Sequence, residues 1–306
     1  MVEYAALKDS YTQPMTPQEY CQNKAAQSGS SFYYSFLTLP EDKRDAITAL
    51  YAFCREVDDI VDNRGDLHIK QIKLDWWRQE VGKLYAGQPQ HPITRALEQH
   101  VQQFTLAQEN FLEIIDGMEM DLQTVRYPDF KELSLYCHRV AGVVGIMSAQ
   151  IFGYQDRQTL KYAHQLGLAF QLTNIIRDVY EDMRHDRLYL PLDELTQYGV
   201  TESDIRQRQH TEAFDQLMQF QINRANDYYQ RAMELLPEID RHAQRAGIIM
   251  AAIYQRLLDE IDRDGRSVLD HRIALTPLRK LWIAWQTRRR ENRRYRQQVR
   301  QNSHGG

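Results

Sequence analysis

The apolar residues of this chain recur every three or four positions along most of its length. That spacing places them on one face of an α-helix, whereas the alternating pattern of a half-buried strand is scarce. Residues that end helices come at long intervals, for example Pro40, Gly65, Pro128, Pro191 and Pro277. No Gly/Ser-rich linker or change in composition divides the 306 residues. The pattern predicts an all-α protein folded as a single-domain helical bundle.

The first clear helix start is Thr16-Pro17-Gln18-Glu19, in which an N-cap residue precedes a proline and an acidic first turn. We expect residues 1–15, which come before it, to be a flexible N-terminal extension.

Two acidic pairs stand out on separate predicted helices: Asp58 with Asp62, and Asp178 with Asp182. Carboxylates four residues apart lie on one helix face and repel each other by a few tenths of a kcal/mol. Stability gives no reason for this arrangement to occur twice. If the two faces meet, they form an oxygen-rich site suited to Mg²⁺ and substrate phosphates. The alternative interpretation is two sets of ordinary ion pairs on solvated helices.

Further polar residues share these two faces or lie beside them. The first face also carries Tyr51 and Arg55; the second carries Gln171 and Asn174, with Arg177 beside them and Arg187 shortly beyond. Guanidinium groups neutralise a diphosphate and pair with two of its oxygens at once. The combination of carboxylates and arginines favours a diphosphate ligand over solvated surface ion pairs.

The cysteine count and the longest apolar stretch bear on the cellular compartment. Cys21, Cys54 and Cys137 are odd in number and lack metal-ligand or redox spacing, which indicates a reduced, cytoplasmic protein. We find no apolar stretch of the ~18 residues that a spanning helix needs, because Val140–Phe152 is too short. The N-terminus does not resemble a signal peptide.

The net charge is only −4, but residues 288–296 are strongly basic. The favoured interpretation is a solvated terminal helix. The second is peripheral contact with an anionic membrane, where each basic residue contributes about 1 kcal/mol. No recognition motif accompanies the charges, so we expect no nucleic-acid binding.

Small residues mark the segment Tyr136–Gly145, in which Gly142 and Gly145 adjoin a stripe formed by Val140 and Val144. The favoured interpretation is close packing of two helices, and the alternative is the wall of a channel for a hydrocarbon. His138 has no partner at metal-ligand spacing, so we expect a structural role for it.

Taken together in order, these segments resemble the squalene and phytoene synthase family. The matching segments are Ser30-Ser31-Phe32, Tyr51–Asp62, Gly117–Leu122, Tyr136–Gly142 and Gln171–Asp178 with Arg187 and Pro191 after it. Within the family the chain is most similar to the bacterial presqualene diphosphate synthases of hopanoid biosynthesis, and next to bacterial phytoene synthases. The resemblance covers residues 16–285 and leaves 286–306 as a basic C-terminal tail.

The resemblance implies a fold of the class I terpenoid synthase type with a central cavity, and a role for each matching residue. The implied Mg²⁺ ligands are Asp58, Asp62, Asn174, Asp178 and Asp182. The implied substrate-binding residues are Ser31, Phe32, Arg55, Val140, Val144, Gln171, Arg177 and Arg187. The implied reaction-centre tyrosines are Tyr51, Tyr136 and Tyr254.

The family chemistry is a Mg²⁺-dependent head-to-head condensation of two prenyl diphosphates, here expected to join two farnesyl chains into presqualene diphosphate. A downstream enzyme would then use this product. Rival hypotheses are a phytoene synthase acting on geranylgeranyl diphosphate, a chain-elongating prenyltransferase and a non-catalytic assembly factor of the same family. The four intact aspartates argue against the last of these.

Overall fold

The computed structural model describes residues 15–27, 35–36, 39–63, 65–264 and 267–304, with side chains up to residue 301. Within these ranges the regular secondary structure is helical, and the one β-type contact is an isolated bridge between Arg126 and Leu188. The predicted all-α fold class is confirmed.

The helices of the first half are α1 Pro17–Gln27, α2 Glu41–Asp62, α3 Leu67–Tyr85, α4 Pro92–Gln103, α5 Gln108–Gln123, α6 Phe130–Cys137 and α7 Val143–Phe152. Those of the second half are α8 Gln158–Arg184, α9 Leu192–Tyr198, α10 Glu202–Arg206, α11 Glu212–Leu235, α12 Arg245–Arg263 and α13 Pro277–His304. A π-turn, His138–Gly142, joins α6 to α7, and a 3₁₀ turn, Ser267–Leu269, precedes α13.

Helix α1 begins where the sequence predicts. The Thr16 backbone N–H donates to Glu19 Oε2 at 2.8 Å, and the Glu19 N–H donates to Thr16 Oγ1 at 3.2 Å. This reciprocal capping box satisfies backbone donors that the first turn leaves unpaired.

Two apolar clusters form the core. Residues of α2 to α5 and α7 surround Phe53 and Phe111, whose rings meet edge to face at 5.1 Å. Residues of α8, α11 and α12 form the second cluster around the fully buried Tyr229. The cavity described below lies between them, because its lining comes from α2 and α7 on one side and from α8 and α12 on the other.

Helices α7 and α8 approach each other backbone to backbone. A Cβ added to Gly145 would lie 2.3 Å from the carbonyl oxygen of Ala163, and one added to Gly167 would lie 2.3 Å from that of Ala141. Only glycine permits such contact. The close-packing interpretation of this segment is therefore confirmed, although Gly145 also lines the cavity.

The π-turn makes α6 and α7 one continuous helical run, Phe130–Phe152. Within the described residues this is the one helix long and apolar enough to cross a membrane, with a mean hydropathy of 1.2. The expectation that no apolar stretch reaches that length is therefore wrong. The most apolar 18 residues of this run are 44% buried, and Gly145 packs against α8. The run therefore also meets the description of a core helix.

Helix α13 runs through position 286 without a break, so the basic segment continues a helix that starts inside the predicted domain. The domain bounds 16–285 and 286–306 remain a prediction.

Candidate active site

The two acidic faces are brought together just beyond the end of α8. Arg187 donates from Nη1 to Asp62 Oδ1 at 2.9 Å and from Nη2 to the Val61 carbonyl at 3.0 Å. One guanidinium from the segment after α8 therefore holds the last turn of α2. Asp182 lies in the last turn of α8, within electrostatic reach of Arg187.

Burial and mutual repulsion raise the pKa of one carboxyl group in each pair. Burial and the neighbouring Asp62 raise the pKa of Asp58 to about 7. Burial and the neighbouring Asp178 raise the pKa of Asp182 to about 8. Asp121 acts in the same direction on both, so it lies within electrostatic reach of both pairs. The site carries more negative charge than its own arginines neutralise.

Arginines contact one carboxylate of each acidic pair, Asp58 and Asp178. Arg55 donates to Asp58 at 2.6 Å and to Asp59 at 2.8 Å. Asp178 accepts a bidentate pair of hydrogen bonds from Arg177. It accepts a second such pair from Arg272, at 2.8 and 3.4 Å. Although burial alone would raise the pKa of Asp178, these guanidinium groups hold it below its usual value.

Asp121 is a site residue that the sequence reasoning missed. It is 6% exposed on α5, and its two oxygens accept hydrogen bonds from the hydroxyls of Tyr136 at 2.9 Å and Tyr189 at 2.6 Å. Burial raises its pKa to about 6. Asp121 lies inside the matched segment Gly117–Leu122, but it has no partner at helical spacing that would mark it.

The three predicted tyrosines lie in different surroundings. Tyr136 is buried, and its hydroxyl points at Asp121. Tyr254 is buried, is hydrogen-bonded to Arg177, and has its ring 4.9 Å from that of Phe170. Tyr51 lines the cavity. Burial raises the pKa of Tyr136 and of Tyr254, so both phenols are protonated at neutral pH.

A cavity of about 200 Å³ opens beside these groups. Its polar end includes Gln171 and Asn174 on α8, one turn or more before Asp178, and its far end includes Tyr162. Along α8, the Cα atoms of Tyr162 and Asn174 are about 18 Å apart at 1.5 Å per residue. The other wall residues include Ile47, Leu50, Val140, Val144, Phe152, Leu166, Phe170 and Met250.

The predicted wall residues Val140 and Val144 therefore do line a cavity. The predicted substrate-binding residues Ser31 and Phe32 lie outside the described residues, and their roles stay predictions. Arg272 and Tyr189 are further site residues that sequence reasoning missed, because each reaches its carboxylate from a loop distant in sequence.

The sequence profile of the squalene/phytoene synthase family matches residues 25–279. The chain belongs to this family. It is 35% identical to a phytoene synthase of Arthrospira platensis, over 90% of this chain and 92% of that protein. It is 33% identical to a 15-cis-phytoene synthase of Synechococcus elongatus, over the same shares of the two chains.

Solved structures of related proteins share the fold of this chain. The chain matches a ligand complex of a dehydrosqualene synthase with a TM-score of 0.81 at 28% identity, covering 89% of this chain and 95% of that one. It matches squalene synthase HpnC of Alicyclobacillus acidocaldarius with a TM-score of 0.73 at 28% identity, covering 81% and 94%. The predicted terpenoid-synthase type of bundle with a central cavity is confirmed.

The donor set of this family member fits the predicted Mg²⁺. The buried Asn174 Oδ1 lacks a hydrogen-bond partner in the described residues, and a divalent cation would offset the repulsion that Asp58 and Asp182 receive from their neighbouring carboxylates. Among the described residues, no three acidic, histidine or cysteine side chains already form a metal-binding group. Since Mg²⁺ takes several ligands from water and substrate phosphates, a few protein carboxylates suffice.

We expect Mg²⁺ to stabilise the protein more at pH 8 than at pH 6.5. The raised pKa values of Asp58 and Asp182 mean that the folded state binds protons which the unfolded state has released. Stability without metal therefore falls as pH rises through this window. Burial lowers the pKa of the buried histidines below 6.5, so they act in the opposite direction near pH 6.5, and comparing Mg²⁺ with a chelator at each pH cancels their contribution.

Thermal unfolding with Mg²⁺ or with a chelator, at both pH values, measures this difference. Asp58→Asn serves as the control, because removing one repelling charge should reduce the pH dependence. An unfolding temperature that Mg²⁺ leaves unchanged at pH 8 would contradict the expectation.

Proposed function

We propose that this protein joins two farnesyl diphosphates head to head into presqualene diphosphate, with release of one diphosphate. The observation that carries the proposal is an apolar cavity whose polar end adjoins carboxylates and arginines drawn from two helices. A prenyl diphosphate has the same division into a charged head and a long hydrocarbon chain.

The depth of the cavity supports a farnesyl chain. At about 1.3 Å of advance per carbon–carbon bond, an extended farnesyl chain spans about 14 Å and a geranylgeranyl chain about 19 Å. The α8 wall spans about 18 Å between Cα atoms, and the side chains of Phe152 and Tyr162 take up part of the far end. A farnesyl chain is shorter than this wall and a geranylgeranyl chain is slightly longer, so the length of the wall favours farnesyl diphosphate.

The charged groups at the polar end would take up the diphosphate. Mg²⁺ bound by the aspartates and Asn174 would draw negative charge from the allylic diphosphate as its carbon–oxygen bond breaks. Arg55, Arg177 and Arg187 would pair with the oxygens of the departing group. The ring faces of Phe170 and Tyr254 would stabilise the allylic cation, and the apolar wall would exclude the water that would quench it.

The double bond of the second farnesyl diphosphate then attacks the cation, and loss of a proton closes the cyclopropane ring. A tyrosine or the released diphosphate could accept this proton. Since burial raises the pKa of Tyr254 and Tyr136, their phenolate forms are scarce at neutral pH. We therefore assign the proton to the released diphosphate.

The product is identified by incubating the purified protein with farnesyl diphosphate and Mg²⁺ and analysing the products by mass spectrometry. We expect a cyclopropyl diphosphate that remains unchanged when NADPH is added. Squalene that forms only with NADPH would instead make the protein a reducing squalene synthase.

The second candidate is a phytoene synthase, because the curated relatives at 33–35% identity carry that name. Such an enzyme would use the same polar residues on geranylgeranyl diphosphate. Turnover of geranylgeranyl diphosphate alone, to phytoene, would establish this candidate and exclude the first.

We expect Phe152→Ala to raise the turnover of geranylgeranyl diphosphate relative to farnesyl diphosphate. Phe152 is buried at the far end of the cavity, so removing its ring should lengthen the usable space. The ratio of the two turnover rates is the readout, since a partly unfolded preparation affects both rates equally. Phe214→Ala is the control, because Phe214 is fully buried but does not line the cavity. An unchanged ratio in Phe152→Ala would show that this end does not set chain length.

A further inference from the structure

Helix α13 is fixed on the protein by one face. Ile283, Thr287 and Glu291, spaced four residues apart, are buried at 7%, 6% and 3% exposure. Glu291 accepts hydrogen bonds from Arg241 at 2.7 and 3.1 Å. These buried residues fix the rotation of α13 about its axis, and therefore which side of the helix faces outward.

The first half of the outward face is apolar. Leu278 is 79% exposed, Leu281 44%, and Trp282 and Trp285 55% each. Their spacings of three and four place them on one stripe, opposite the buried face. A surface that only contacts water rarely carries two half-exposed tryptophans side by side. Contiguous apolar patches of this kind mark interaction sites.

The second half of the same face is cationic. Arg289, Arg293 and Arg296 continue the stripe and form no ion pair with a carboxylate of the described residues. Residues 288–300 contain seven arginines and one glutamate, while the whole chain has a net charge of −4. The guanidinium of Arg289 lies 5.3 Å from the ring centre of Trp285, where the two halves of the face join.

We propose that the outward face of α13 docks in the plane of an anionic lipid bilayer. The leucines and tryptophans would enter the boundary between headgroups and acyl chains, where the amphipathic indole ring is favoured. The arginines would lie on the lipid phosphates, and the positive charge of this segment matches a negative surface. Neither half of the face takes part in the condensation proposed above.

The charge distribution favours a bilayer over a second copy of the chain. A twofold symmetric dimer through this face would bury its arginines against an identical face, which offers them no carboxylate. Unpaired buried charge is strongly unfavourable. A lipid surface supplies the missing anions without requiring any change in the protein.

Co-sedimentation of the full chain with vesicles tests the proposal. We expect binding to phosphatidylcholine vesicles containing about one third phosphatidylglycerol, weak binding to phosphatidylcholine alone, and loss of binding at high salt. Replacing both Trp282 and Trp285 by serine should lower the partition coefficient about tenfold or more. Replacing Arg289, Arg293 and Arg296 by glutamine should lower it by a similar factor and remove most of the salt dependence.

Matched control variants distinguish the effect of this face on vesicle binding from the effect of the protein's overall charge and apolar surface. The triple variant Arg95→Gln, Lys131→Gln and Arg157→Gln removes the same charge from exposed positions elsewhere on the protein. Ile239→Ser removes a 56% exposed apolar side chain elsewhere. Both controls should bind vesicles as the wild type does, and all variants should keep the wild-type unfolding temperature and turnover of detergent-dispersed substrate.

Three results would overturn the proposal. The first is wild-type protein that does not bind anionic vesicles, and the second is equal binding by the α13 variants. The third is a wild-type dimer in solution that the tryptophan replacements convert to a monomer, because the face would then belong to a second copy.

Discussion

Asp58→Asn and Asp178→Asn should each lower turnover by about two to three orders of magnitude, the usual cost of removing one preorganised electrostatic contact to a transition state. The two variants should differ in stability. Asp58 is buried beside Asp62, and together these raise its pKa more than its contact with Arg55 lowers it, so its neutralisation should leave the unfolding temperature unchanged or higher. Asp178 pairs with Arg177 and Arg272, so its replacement leaves two guanidinium groups short of a partner and should lower that temperature.

Steady-state turnover and thermal unfolding of both variants measure the two effects. Asp75→Asn is the matched control, because Asp75 is 66% exposed and pairs only with Arg78 among the described residues. Near-normal activity in either variant would remove that aspartate from the metal and diphosphate site. A loss of stability in Asp58→Asn would show that its charge is compensated, contrary to the raised pKa.

Gly167→Ala should destabilise the protein by about 3 kcal/mol, at the upper end of the range for overpacked cores. The added Cβ would lie 2.3 Å from the carbonyl oxygen and 2.8 Å from the carbonyl carbon of Ala141. Both atoms belong to the backbone of the π-turn, so this turn and α8 would have to separate, and the cavity wall would move with them. Turnover should therefore fall even where the variant remains folded.

Gly82→Ala provides the opposite case. Gly82 lies within α3, and a Cβ added there has no atom within 4 Å. Alanine in a helix is better than glycine by about 0.5–1 kcal/mol, so this variant should be slightly more stable than the wild type. Urea unfolding of both variants gives the comparison. Equal stabilities would mean that the π-turn and α8 can separate at little cost.

The helices and the acidic pairs follow from the sequence because both obey local spacing rules. The cap at Thr16 and the carboxylates at Asp58 and Asp178 are set by neighbours within four residues, and such patterns can be read directly. The family resemblance placed Val140 and Val144 on a cavity wall, and the structure puts both there.

The contacts that the sequence did not reveal are long-range. Asp121 meets Tyr189, which is 68 residues away, and Asp178 meets Arg272, which is 94 residues away. His138 pairs with His164 at 2.9 Å across two helices. No local sequence pattern indicates such pairs, because only the packing of the bundle brings their residues together. The π-turn was missed for a similar reason, since its residues have ordinary helical composition.

The arginine that joins the two acidic faces has one further consequence. Arg55, Arg177 and Arg187 each donate to a carboxylate of one acidic pair. In the proposed function a metal ion and a diphosphate would take over these contacts, so each carboxylate and each guanidinium would exchange one partner of opposite charge for another. The contacts offset part of the negative charge of the site and hold both sets of side chains near the positions that they would use, so binding would need little rearrangement.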